Sequence, residues 1–169
     1  MRADAEREYV EYARAGVPRL QRLAYTLCGD AHRASDLVQN TLVKLYTRWH
    51  RIRTVEHVDA YVRKMLLRQF LIEQRSPWAR IRLSGEVPER PVRDNEDRPA
   101  LVAALKQLPP RQRAVLVLRF VYDLPVGEVA EMLDISDGTV KSQSAKGLAK
   151  MRHLLEEPVA AAQWRKHED

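Results

Sequence analysis

The 169-residue chain holds one cysteine, Cys28, so no disulfide can form within it. That excludes a disulfide-framework domain and fits a reducing compartment, where a lone cysteine is by default a small buried hydrophobe. Glycine is scarce, at six residues, and alternating β-branched runs are absent. Both absences point to an all-α chain. Long apolar runs are missing too: Ala114–Leu118 in the C-terminal half is far too short to span a bilayer. Met1–Glu11 is too charged for a signal peptide, so the chain is expected to stay in the cytoplasm, away from membranes. No P-loop, G-x-G-x-x-G, H-E-x-x-H or G-x-S-x-G pattern occurs. His32, His50, His57, His153 and His167 are isolated, and Cys28 has no partner at metal-ligand spacing. Carboxylate pairs such as Glu128/Glu131 and Glu156/Glu157 sit where solvated helix faces are expected. The expectation is a protein without catalysis, cofactor, metal or small-molecule substrate.

What the chain has is positive charge. Net charge is +6 and the pI about 9.7, yet acids remain abundant. That is the balance of a folded nucleic-acid binder and not of a disordered basic tail. Residues 1–75 hold 14 Lys/Arg against 9 Asp/Glu, residues 76–98 are neutral, and residues 99–169 hold 10 against 9. The basic excess therefore falls mostly in the first half.

The second half contains the most telling stretch, Leu124–Leu155, which reads as a helix-turn-helix. Val126–Leu133 is a short amphipathic run, Asp134–Ser136 a polar break, and Asp137–Leu155 a longer helix that Ser136 is placed to cap. Ala130 leaves room for the helices to approach, and Val129, Leu133, Ile135 and Val140 can close a shared core. Val140, Ser144, Gly147, Leu148, Met151 and Leu155 share one apolar or small face. Thr139, Ser142, Gln143 and Lys146 fall on or near the other side, flanked by Lys141 and Lys150. No acid occurs from Gly138 to Leu155. A helix buried on one side and cationic on the other suits a DNA major groove. The plainer alternative is a solvated basic helix in an ordinary bundle.

The remaining chain reads as further helices. Met1–Ala15 and Pro18–Cys28 are expected as two, ended by Gly29-Asp30, and Ala31–Trp49 as a third with Val38, Leu42, Leu45 and Trp49 inward. His50–Val55 is expected as a loop carrying Arg51 and Arg53. Glu56–Arg75 follows as a helix with Val58, Val62, Met65, Leu66 and Phe70 inward. Residues 76–98 hold Pro77, Pro88 and Pro91 and read as a semi-extended linker, part of which should dock through Trp78, Ile81 and Leu83. Ala100–Leu108 and a helix from Pro109-Pro110 to Val121 complete the second half, and residues 156–169 form a tail expected to fray. The division is thus 1–75, linker 76–98, 99–155 and tail 156–169.

Three motifs in order resemble one family. Asp36-Leu37-Val38-Gln39-Asn40-Thr41-Leu42 resembles the D-L-V-Q-E-x-F signature of sigma-70-type initiation factors. Leu108-Pro109-Pro110-Arg111-Gln112-Arg113-Ala114-Val115-Leu116 resembles the L-P-x-x-x-R-x-V-L opening of their C-terminal domain, and Gly138-Thr139-Val140-Lys141-Ser142 the G-T-V-K-S entry to their recognition helix. With two domains around a short linker, the chain is most similar to extracytoplasmic-function (ECF) RNA polymerase sigma factors of the SigE-like subgroup.

The resemblance implies a region 2 bundle in residues 1–75 and a region 4 helix-turn-helix in 99–155. Asp36, Gln39 and Asn40 would dock on the clamp of the largest subunit of core RNA polymerase. Arg51, Arg53, Tyr61, Arg63, Lys64, Arg68 and Gln69 would hold the −10 element as a melted strand, since single strands need aromatic or polar surfaces and a cationic groove. Ser142 and Lys146 would meet −35 base edges, with Thr139, Lys141, Gln143 and Lys150 on phosphates or flanking bases. Gln143 suggests an amide contact such as adenine, a water-mediated contact being an equal alternative. Arg68 stands where many relatives carry a small polar residue, and Leu42 replaces the motif's Phe. Partners implied are the polymerase clamp and β flap, promoter DNA and, as is common for ECF factors, an anti-sigma protein that the apolar faces could accept. Two other readings compete. A stand-alone dimeric helix-turn-helix regulator of duplex operators explains residues 100–155 but gives Asp36–Tyr46 no purpose, and a module that titrates polymerase would leave the DNA face dispensable.

Overall fold

The computed structural model describes residues 2–75 and 99–155, and every regular element among them is helical. Residues 76–98 and 156–169, with the expected linker and tail, lie outside the described residues. The chain divides into two compact units, Met1–Glu89 and Arg90–Asp169.

Unit 1 is built on α1 (Ala3–Cys28), α2 (Ala31–Ile52) and α3 (Val58–Arg75). Two residues make the turn between α1 and α2. Gly29 takes a φ of 66°, which a residue without Cβ adopts freely, and its N–H donates to the Tyr25 carbonyl at 2.7 Å. Asp30 then caps α2, accepting from the His32 and Arg33 amides at 2.8 and 3.1 Å. Such a cap contributes about 1 kcal/mol. The two helices run antiparallel: the Tyr9 hydroxyl donates to the Leu42 carbonyl at 2.9 Å, and its ring meets those of Tyr46 and Trp49 edge-on.

One expectation is corrected in α1, which continues through Pro18 instead of breaking there. Proline deprives the Arg14 carbonyl of its donor, but Arg14 and Pro18 are both exposed, so water can take the vacancy. Ala5, Gly16, Leu20, Leu23, Ala24 and Leu27 meanwhile keep one buried face, and burial of each leucine contributes roughly 1.5–3 kcal/mol. Packing outweighs the lost bond. Helix α2 likewise extends through Ile52, which is buried, so only the end of the expected His50–Val55 loop is non-helical. Leu37, Thr41, Leu45 and Trp49 line its inner face, whereas Leu42 is half-buried.

Unit 2 contains α4 (Pro99–Lys106), α5 (Pro110–Leu116), α6 (Val126–Leu133) and α7 (Asp137–Leu154). Helix α5 widens into a π-helical segment, Val117–Val121, where a regular helix was expected. There the Tyr122 amide donates to the Val117 carbonyl at 3.1 Å, and Arg119 donates to the Leu124 carbonyl at 2.8 Å, drawing the chain into the turn before α6. Leu105, Leu116, Leu118, Val129, Val140 and Met151 form the core of this unit.

Candidate nucleic-acid interface

The helix-turn-helix forms as the sequence predicts, between α6 and α7. Its turn is a Schellman closure in which Asp134 takes a φ of 54° and the Ile135 amide donates to the Ala130 carbonyl at 3.0 Å. Ser136 starts α7, its Oγ accepting from the Thr139 amide at 3.1 Å. The Ser136 and Thr139 hydroxyls also share a hydrogen bond of 2.8 Å, so Thr139 is part of the cap.

Val140, Gly147 and Met151 bury the inner side of α7. Lys141, Ser142, Ala145, Lys146 and Ala149 lie exposed on the outer side, two cations interleaved with small residues. Not every expected contact residue is equally available. Lys150 Nζ donates to the Gln107 carbonyl at 3.0 Å, tying α7 to the turn after α4. Gln143 is half-buried, and its Oε1 is buried without a hydrogen-bond partner among the described residues, so a two-point amide contact to adenine requires the side chain to turn. Arg113, the arginine of the L-P-x-x-x-R motif, is buried and donates to the Lys106 and Leu108 carbonyls at 3.2 and 3.1 Å. It closes the end of α4, a role that motif spacing alone does not reveal.

In unit 1 two faces carry the remaining residues. On α3, Tyr61, Lys64 and Arg68 follow one another at helical spacing, with Tyr61 39% exposed, Arg68 exposed and Lys64 half-buried; Arg63 stands half-buried beside them. Arg51 is exposed in the last turn of α2. Arg53 is held within the unit, 2.8 Å from Glu8 and 3.9 Å from Asp4. Gln69 is also engaged: its Nε2 donates to Glu73 Oε1 at 3.1 Å and its Oε1 accepts from Lys44 Nζ. On α2, Asp36, Gln39 and Asn40 are all exposed on one side, and Asn40 Nδ2 donates to Glu73 Oε1 at 2.9 Å. Sequence reading missed Glu73, because nothing local announces a contact spanning 33 residues. Tyr12, half-buried between α1 and α3, donates to Asp59 Oδ1 at 2.7 Å. Burial, and then this bond to a carboxylate, raise its phenol above the usual range. Among the described residues, no group of acids, histidines and cysteines is placed to hold a metal, and no helix is long and apolar enough to cross a membrane.

Comparison with known proteins agrees with this architecture. Residues 13–79 match Sigma-70 region 2 and residues 104–153 match Sigma-70, region 4. The chain is 37% identical over 158 residues to the RNA polymerase sigma-E factor of Streptomyces avermitilis, covering 88% of this chain and 86% of that one. It is 31% identical over 157 residues to the ECF RNA polymerase sigma factor SigE of Mycolicibacterium smegmatis, covering 86% of this chain and 60% of that one. The sigma factor RpoE of Bartonella quintana, solved with the anti-sigma factor NepR, shares the fold with a TM-score of 0.69 at 22% identity, covering 92% of this chain and 98% of that one. The chain belongs to the sigma-70 family of RNA polymerase sigma factors, in its ECF group. It is a transcription initiation factor that directs RNA polymerase to promoters, and a lone operator reader is not favoured, since the region 2 match accounts for the first half.

Proposed function

We propose that the promoter and polymerase contacts are divided among three faces. Asp36, Gln39 and Asn40 on α2 dock on the clamp of the polymerase largest subunit. Tyr61, Arg63, Lys64 and Arg68 on α3, with Arg51, hold the melted −10 strand, the ring stacking on a base and the cations following the backbone. Arg53 and Gln69 serve that face as struts, each being bonded within the unit. On α7, Ser142 and Lys146 meet −35 base edges and Lys141 a phosphate, while Thr139, Gln143 and Lys150 fix the helix start and flanks. Residues 1–75 and 99–155 work as separate bodies joined through 76–98, the second also resting on the β flap. The factor performs no chemistry itself, acts in the cytoplasm on the nucleoid, and is held by an anti-sigma protein through exposed apolar residues such as Val43 and Ile72.

The observation that carries this reading is the surface of α7: buried on Val140, Gly147 and Met151, and free of acids from Gly138 onward. Reconstitution tests it. Core polymerase with this chain, given a promoter library, is expected to yield transcripts that depend on both elements. A chain that does not associate with core polymerase would overturn the assignment.

A further inference from the structure

We propose that Glu73, in the last turn of α3, is a positioning residue of the polymerase-docking face, where it holds Asn40 so that its carbonyl is offered to a donor on a basic partner surface. The proposal rests on the docking role given above to Asp36, Gln39 and Asn40. Glu73 Oε1 accepts from Asn40 Nδ2 at 2.9 Å and from Gln69 Nε2 at 3.1 Å. An ionised carboxylate can only accept, so both side-chain amides must turn their NH2 groups toward it. Gln69 then spends its own oxygen on Lys44 Nζ, which closes the network across α2 and α3. Asn40 does not: it is exposed, and its Oδ1 has no partner among the described residues. Without Glu73 the Asn40 amide could present either end at similar cost. With it, only the acceptor faces outward.

The same contact brings a negative charge to the docking strip. In the D-L-V-Q-E-x-F signature a glutamate occupies the position of Asn40. Here the carboxylate stands on the neighbouring helix instead, and Glu73 Oε2 has no partner among the described residues. Together with Asp36 this makes an acceptor-rich patch whose complement is a surface bearing lysine or arginine, for which charge-assisted bonds are the strong ones.

The test uses the full-length chain, its Glu73→Gln variant and the Asn40→Asp/Glu73→Gln double variant. Affinity for core polymerase is measured by fluorescence titration across a salt series, with thermal unfolding of each variant as a control. Glu73→Gln is expected to weaken binding roughly tenfold, with a shallower salt dependence and little change in unfolding, as loss of one charge-assisted contact implies. The double variant reverses donor and acceptor, keeps an acceptor oxygen facing outward at position 40, moves the carboxylate from position 73 to position 40, and is expected to regain most of the affinity. Glu73→Gln binding as tightly as the parent would overturn the proposal, and so would a double variant no better than the single one. A parent chain that does not bind core polymerase would instead overturn the docking assignment itself.

Discussion

Gly147 of α7 lies so close to Leu116 of α5 that a Cβ added to it would stand 2.8 Å from Leu116 Cδ1, with Cγ and Cδ2 at 3.0 and 3.2 Å. Leu116 is fully buried, so any shift that makes room for the Cβ disturbs the close-packed core around it. This contact seats α7 on the rest of unit 2, and it decides the sign of a substitution that propensity would misjudge. Alanine in place of glycine normally stabilises a helix by about 1 kcal/mol. Here overpacking, typically about 1–3 kcal/mol, opposes that gain. Gly147→Ala is expected to lower stability by about 1 kcal/mol in urea unfolding, and Leu116→Ala should be partly rescued when combined with it. A Gly147→Ala chain more stable than the parent would show that the close approach is absent in solution.

Asp134 closes α6 at a φ of 54°, in a conformation glycine adopts without a Cβ penalty. Its carboxylate also sits at the negative end of the α6 dipole. Asp134→Gly relieves that backbone cost, roughly 0.5–1 kcal/mol, and also removes the side chain's own interaction; a higher urea midpoint at unchanged m-value is the expected outcome, the backbone cost being the larger. A lower midpoint would mean that the Asp134 side chain contributes more than its backbone conformation costs.

Lys146 and Lys150 lie one helical turn apart on α7, yet different outcomes are expected for them. Lys146 is exposed, whereas Lys150 Nζ is bonded to the Gln107 carbonyl. Lys146→Ala should weaken use of the −35 sequence by roughly 1–3 kcal/mol if it meets a base, or weaken all sequences alike and reduce the salt slope if it meets a phosphate. Lys150→Ala should show a small loss of stability. Promoter titrations with matched and scrambled −35 elements separate these cases, and unchanged binding would remove Lys146 from the interface.

Tyr12 gives the chain an alkaline limit. Its pKa is raised in the folded state, by burial first and then by the bond to Asp59, from an ordinary value of 10.0. The unfolded chain thus loses this proton at lower pH than the folded one. The contribution to stability is complete below about pH 10 and declines as pH rises above it. The thermal midpoint should fall beyond that pH, and the fall should be shallower in Tyr12→Phe. A Tyr12→Phe profile parallel to the parent's would place the effect elsewhere, for example at Tyr9, whose phenol is also raised by burial and by Tyr46.

Much of this protein was written in local pattern. Helical periodicity placed most of the helices, the Ser136 cap and the α6–α7 turn could be read residue by residue, and three motifs named the family. These are short-range matters: a cap, a turn and an amphipathic face involve residues within a few positions of each other, so the chain encodes them directly. Pro18 shows where such reading ends. A local breaker predicted two helices, and burial against α2 and α3 made them one.

Tertiary structure alone decided which expected contact residues are available. Arg53, Gln69 and Lys150 look as exposed in the sequence as Lys146, yet each is bonded to a group far along the chain. Glu73 meets Asn40 only because α2 and α3 run antiparallel at one particular register. A side chain's neighbours across a helix pair depend on register and rotation, which core packing sets and no window of sequence contains.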